Sequence, residues 1–453
     1  MPSFLTLPAA PHYWLINARI PACLLDSSVN LLPIPSLQAF PHQEELVAVD
    51  IEINEGRIQT LVATGTPQTR ETPAINLKQG LVWPCFMDVH THLDKGHIWP
   101  RRPNPDGCFD SALEAVTKDR EQHWQPEDIY RRMEFGLKCS YAHGTGAIRT
   151  HLDAFGEQAN ISFEIFRTLQ REWADRLTLQ AVCLVSLDYF MTPAGEQLAD
   201  IVAETPGGIL GGVAFSSPEL GPHLDRVFAM AKERSLDLDF HVDESLNPDD
   251  INLYHIAQAK LKHRFERQVS CDHCCSLSVQ SPERVGQTLL AVKEAEISII
   301  SLPMCNLYLQ DRYPDQTPQY RGVTLLHEIV RQGIPLAVAS DNCRDPFFAY
   351  GDHDGLEVFT QSVRIGQLDR PYEQWPQAVT TTAGKLMGLN TAIGLGRPAN
   401  LVCFKARTLN ELIARNQSDR VVIRQGQQID TTLPDYSDLD DLVLLSPNPS
   451  MGS

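Results

Sequence analysis

From Leu81 onward, compact apolar runs alternate with longer stretches whose apolar residues fall three and four apart. The runs are LVWPCFMDVHTH, GTGAIRTHLD, LTLQAVCLVS, GILGGVAFSS, LDLDFHVDES, RQVSCDHCCS, AEISIISLPM and IPLAVASDN, and each predicts a strand. Near-continuous apolar character marks strands covered on both faces, as in a parallel sheet. Between them FEIFRTLQREWADR, LDRVFAMAKERS, PERVGQTLLAVKEAE and VTLLHEIVRQG carry helical periodicity. Eight such alternations over about 260 residues predict an α/β fold, a (β/α)8 TIM barrel, whose usual length is about 250. A doubly wound open sheet is the competing arrangement. Neither G-x-G-x-x-G nor G-x-x-x-x-G-K-[ST], its usual phosphate loops, is present.

The flanks have a different texture. WLINARI and VAVDIEINEGRIQTLVA read as short strands, with EG supplying turn residues between two of them. After about residue 385, AIGLGRPANLVCFKA and RVVIRQGQQI return to that pattern. The expected organisation is residues 1–82 and 386–453 forming one small β-sandwich-like domain with an acidic tail, and residues 83–385 forming the inserted barrel.

The strand ends carry the chemistry. In barrel enzymes the site lies at the C-terminal ends of the strands. Strand one ends in His90 and His92, strand two in His151 and Asp153, strand five in His241, Asp243 and Glu244, strand six in Asp272 and His273, and strand eight in Asp341. Residues two apart on a strand share a face, so His90 and His92 turn toward one point. A satisfied polar residue explains any single station, but it does not explain five at the same end of the runs. Three imidazoles and a carboxylate at non-adjacent strand ends can hold one divalent ion and leave room for water. Glu244 and His273 are placed to move protons.

Composition narrows the partners. A formal charge of −19 argues against a polyanion partner, since nucleic acid needs a basic stripe. No apolar window approaches the roughly 18 residues of a membrane span. With no Lys or Arg before Arg19 there is no basic leader, so a soluble cytoplasmic protein is expected. Eleven scattered cysteines read as reduced thiols. CDHCC at 271–275 lacks the second pair that a zinc knuckle needs.

These residues resemble a known family. H-x-H after strand one, H-V-D-E after strand five, a lone His after strand six and S-D-N after strand eight resemble the amidohydrolase superfamily, and within it the bacterial cytosine deaminase group. HTHLDK, RTHLD, NLYLQDR with RGVT, and ASDNCRDPFFAYGD resemble segments of that group across the whole barrel. The resemblance implies that His90, His92, His241 and Asp341 bind the metal, that Glu244 shuttles protons, and that His273 holds the attacking hydroxide, with Asp341 beside it. Binuclear members carry a bridging carboxylated lysine near the end of strand four; GGVAFSSPEL has none, which favours a single zinc, iron or manganese ion.

Two departures fall on substrate contacts. Ser186 stands near the place where cytosine deaminase has a ring-gripping glutamine, and Asn342 replaces the second of two aspartates. Together with His151, and with Lys95, Trp99 and Arg101 from a loop reaching Gly107 that either caps the pocket or is solvated, these form the expected substrate contacts. His97, His143, His223, His255 and His263 lack strand-end placement and are read as ordinary residues. The expected reaction is hydrolytic release of ammonia from an amino-substituted nitrogen heterocycle, cytosine-like, pterin-like or triazine-like. Expulsion of a substituted amine or opening of a cyclic amide is the enzymatic alternative. A non-catalytic metal-binding barrel is the alternative of another class, and the presence of both Glu244 and His273 argues against it. The partner is a small molecule; a homo-oligomer is compatible with the sequence.

Overall fold

The computed structural model describes residues 4–29, 45–66, 72–372, 374–415 and 419–443. It divides into two compact units, one of residues 88–139, 147–353 and the segment from 434, the other of residues up to 87, 140–146 and 354–433. Among the described residues no helix is long and apolar enough to cross a membrane. None of the eleven cysteines is in a disulfide.

Eight parallel strands lie side by side in chain order: β1 (Phe86–Thr91), β2 (Thr145–Asp153), β3 (Thr178–Leu184), β4 (Gly208–Ala214), β5 (Leu238–Val242), β6 (Val269–His273), β7 (Ser298–Ser301) and β8 (Leu336–Val338). Every apolar run named above contains one of them. The sheet closes where Thr91 bridges Asp341: the Asp341 N–H donates to the His90 carbonyl at 2.9 Å, and Thr91 Oγ1 donates to the Asp341 carbonyl at 2.9 Å. Asp88 strengthens the closure by accepting from the Ser340 N–H and hydroxyl at 3.1 and 2.6 Å. This is the near-closed TIM-like barrel that the alternation predicts.

The helices between strands form for local reasons. Thr192 and Ser281 cap the helices Pro193–Ala203 and Pro282–Glu294, each with proline in the first turn, where its missing N–H costs nothing. The helix Leu220–Arg234 buries Leu220, Leu224, Val227, Phe228 and Ala231, and stops at Ser235 in a left-handed conformation. Asp243 caps across the chain, accepting the N–H groups of Asn252 and Leu253 at 3.0 Å each at the start of the helix Asn252–His263.

One predicted strand is two. In LVWPCFMDVHTH, Val82–Pro84 pairs antiparallel with Leu401–Cys403, and only Phe86–Thr91 enters the barrel. Pro84 has no N–H to carry a ladder onward, and the Cys85 N–H turns to the Asn400 carbonyl at 3.2 Å.

The second unit holds two four-stranded sheets. One orders Arg57–Ala63, Leu46–Asn54, His12–Pro21 and Ala74–Asn76; the other orders Gln427–Gln428, Val421–Arg424, Leu401–Cys403 and Val82–Pro84, so segments from both ends of the chain share a sheet. Two hairpins turn through Glu55-Gly56 and Gln425-Gly426, all four residues at positive φ. That is the two-residue turn whose twist matches the flanking strands. A side chain at Gly56 would meet the Gln425 carbonyl oxygen at 2.7 Å, so the turns abut at a contact only glycine permits.

Candidate active site

The barrel interior is polar where alternate strand residues point inward. Arg149 on β2 donates to Asp239 on β5 at 2.7 Å, and His151, two residues along β2, sits 3.3 Å from the same carboxylate and 3.5 Å from Asp272. His90 Nδ1 lies 2.8 Å from Asp272 Oδ2. The register that pairs His241 with Asp272 brings β5 and β6 to this point.

Above this layer four ligand-type atoms converge. His90 Nε2 is 3.3 Å from His92 Nε2; Asp341 Oδ1 is 3.3 Å from His90 Nε2 and 3.2 Å from His92 Nε2; His241 Nε2 is 3.5 Å from His92 Nε2. Ligands about 2.0–2.1 Å from a tetrahedral ion stand about 3.3–3.4 Å apart, so the separations among His90, His92 and Asp341 fit one cation, with His241 adjoining them through His92. The electrostatics agree. Both Asp341 carboxylate oxygens are buried without a hydrogen-bond donor among the described residues. Against the cost of burial, contacts from His90 and His92 hold Asp341 well below the usual carboxylate range. Burial pushes His92 and His241 well down, leaving neutral imidazoles with free lone pairs. Burial opposes charge on His90 as well, yet Asp272 and Asp341 hold its pKa up at about 10. Two buried carboxylates call for positive charge at this spot, and the donor set suits a divalent cation.

A cavity of about 310 Å³ opens over these atoms, at the small end of the range for ligand pockets. Glu244 and His273 line it beside Asp341. Burial, then the charge of Asp341, holds Glu244 well above the usual carboxylate range, as a proton carrier near neutral pH requires. Burial pushes His273 down to about 3, so its ring is neutral. His273 and Asp341 both sit at positive φ, strained conformations of a kind that gathers at functional sites.

Of the expected substrate contacts, Lys95, Ser186 and Asn342 line the cavity. Lys95 donates to Asp153 at 2.8 Å; burial disfavours its charge, but Asp153 and Asp94 keep it protonated. Its Nζ lies 5.6 Å from the centre of the Phe347 ring, an apolar wall of the same cavity. Asn342 Nδ2 donates to Asp345 at 2.7 Å. His151, Trp99 and Arg101 are not among the lining residues. His151 lies behind His90, ring centres 3.9 Å apart. Arg101 is buried in a double fork, 2.8–2.9 Å from Asp119 and 2.5–3.2 Å from Asp128. Arg101→Ala leaves Asp119 without its cation, while Asp128 keeps Arg132 at 2.6 Å, and is expected to lower unfolding stability by about 3 kcal/mol. Denaturant unfolding checks this; a stable variant with a raised KM would instead place Arg101 at the substrate.

Periodicity did not single out Arg149, Asp239, Asp272 as a hydrogen-bond partner of His90, or Asn306. Their signal is the i, i+2 spacing of Arg149-His151-Asp153 and Asp239-His241, which puts polar groups on the inward face of apolar-looking runs. A second buried group, His97, Cys343 and His353, has His97 Nε2 3.2 Å from His353 Nε2, but the charges of Arg132 and Arg344 beside His97 disfavour a cation there. Burial pushes Cys271 and Cys274 well up, so these cysteines of CDHCC are thiols.

Comparisons with known proteins agree with this geometry. Residues 202–430 match the amidohydrolase family. The chain is 45% identical to a pterin deaminase of Rhizobium rhizogenes (strain K84) over 443 residues, 97% of this chain and 99% of that one. It is 23% identical over 371 residues to the N-isopropylammelide isopropyl amidohydrolase of Pseudomonas sp. (strain ADP), covering 78% and 87% of the two chains. A 5-methylcytosine deaminase from Klebsiella pneumoniae shares the fold with a TM-score of 0.78 at 23% identity, over 92% of this chain and 97% of that one.

Proposed function

The chain belongs to the amidohydrolase family, and on that premise we propose that it is a hydrolase of C–N bonds other than peptide bonds that deaminates a 2-amino-4-oxo bicyclic heterocycle of the pterin class. The observation that carries this reading is the convergence of His90, His92 and Asp341 within 3.2–3.3 Å, with His241 3.5 Å from His92, at a cavity that also presents Glu244 and His273. In the reaction water adds through oxygen to the ring carbon bearing the amino group, the C–N bond breaks, and ammonia leaves as the ring carbonyl forms.

His90, His92, His241 and Asp341 would hold one ion, zinc, iron(II) or manganese. When bound it supplies Lewis acidity, lowering the pKa of a water from 15.7 toward about 7. Glu244 takes a proton from the attacking water, delivers it to the adjacent ring nitrogen, and assists departure of the amine. His273 holds the oxygen that adds. The protonated Lys95 and the Asn342 amide face the ring edge and suit a substrate carrying a carbonyl beside ring nitrogens. Phe347 supports the ring face.

Ser186 and Asn342 supply no equivalent of a glutamine's paired contact to a single pyrimidine. Cytosine is therefore expected to have a kcat/KM at least about a hundredfold below that of pterin, because a site built for one hydrogen-bond pattern rejects rings that leave its buried groups unpaired. Ammonia release by metal-loaded protein from pterin, cytosine and an N-alkylated aminotriazine tests this. Equal rates with cytosine overturn the substrate assignment. Release of alkylamine in preference to ammonia overturns deamination itself.

A further inference from the structure

Asn306 belongs to the helix Pro303–Leu309 that follows β7, is fully buried, and is not among the expected site residues. One end of its amide is 3.0 Å from His273 Nδ1 and 3.3 Å from Glu244 Oε1. The amide nitrogen Nδ2 is the atom at that end. Its NH2 group satisfies both neighbours with its two hydrogens.

The consequence falls on the opposite side of the ring. Neutral imidazole carries one hydrogen, and accepting at Nδ1 puts it on Nε2. His273 Nε2 is buried with no hydrogen-bond partner among the described residues, on a ring that lines the cavity. Glu244 Oε1 is itself 3.3 Å from His273 Nδ1 and, without Asn306, would accept a proton from that atom. That bond would occupy the carboxylate and turn a lone pair toward the reacting oxygen.

Resting on the deaminase reading above, we propose that Asn306 is a positioning residue: by donating to His273 Nδ1 it selects the tautomer with Nε2–H in the cavity, making His273 a hydrogen-bond donor to the adding oxygen and leaving Glu244 as the proton carrier. His273 then serves as one donor of an oxyanion-type site, and losing such a donor costs about 10²–10³ in kcat.

The test uses the metal-loaded full chain with ring-15N histidine, the His273 signals being assigned by their absence in His273→Gln. The wild type should show a protonated Nε2 and a pyridine-like Nδ1. In Asn306→Asp an acceptor replaces the donor, so the hydrogen should move to Nδ1. In Asn306→Ala the same shift should follow as Glu244 becomes the acceptor. Both variants should retain the wild-type metal content and a KM within about threefold, while kcat falls about a hundredfold. If Asn306→Asp does not fold, Asn306→Ala carries the same prediction. A wild-type His273 protonated at Nδ1, or variants with wild-type kcat, would overturn the proposal. The tautomer is read without substrate, so a wild type that releases no ammonia defeats the deaminase reading and leaves the Asn306 assignment to be judged by the spectrum.

Discussion

Glu244→Gln is expected to lose turnover on the order of a thousandfold while keeping its metal. The substitution preserves shape and removes only the proton that the carboxyl carries, and a positioned acid–base group contributes about 10²–10⁴. Glu244 suits the role because burial and the neighbouring Asp341 hold its pKa well above the usual carboxylate range. It lines the cavity with Asp341, His92 and His241, and none of the His90, His92 and Asp341 separations of 3.2–3.3 Å involves it. Elemental analysis alongside kcat decides the matter. A variant that has lost its metal but keeps its rate per bound ion would make Glu244 a ligand and overturn the division of labour.

His241→Ala is expected to lose both metal and activity, falling to the rate of exhaustively chelated wild type. His241 Nε2 is 3.5 Å from His92 Nε2, and burial keeps the ring neutral, so its removal opens one vertex of a four-atom cluster. The remaining charges make the loss more severe. Asp341 and Asp272 lie within 3.3 and 2.8 Å of His90, and these buried acids need compensating positive charge. Two tightly held ions per wild-type chain, or full activity of the chelated His241→Ala variant, would remove the single-ion centre from the mechanism.

Much of this architecture is legible in the sequence. Strand and helix periods are local properties, set by which side chains must leave water on one face, and eight alternations leave few folds open. The strand-end stations were legible for the same reason: two-residue spacing on β1 places His90 and His92 together whatever the rest of the chain does. What local pattern misread was continuity. A proline inside one apolar run divided it between two sheets, because a missing N–H acts on the ladder and leaves hydrophobicity unchanged.

The sequence by itself determined the α/β alternation, the turn residues Glu55-Gly56 of one hairpin, the strand ends that would carry chemistry, and the resemblance that pointed to an amidohydrolase. Tertiary structure decided which polar groups meet. His90 finds Asp272 182 positions away, and Asn306 reaches His273 across 33, only because barrel closure sets the register of every strand against its neighbours. Packing within the segment between β1 and β2 buried Arg101 between Asp119 and Asp128, although its loop composition is rich in cations. Residues of one strand are related by a fixed rise and alternation, but residues of different strands are related only through the sum of all the pairings between them. That sum exists once the sheet has closed, and the partners of each buried charge are chosen by it.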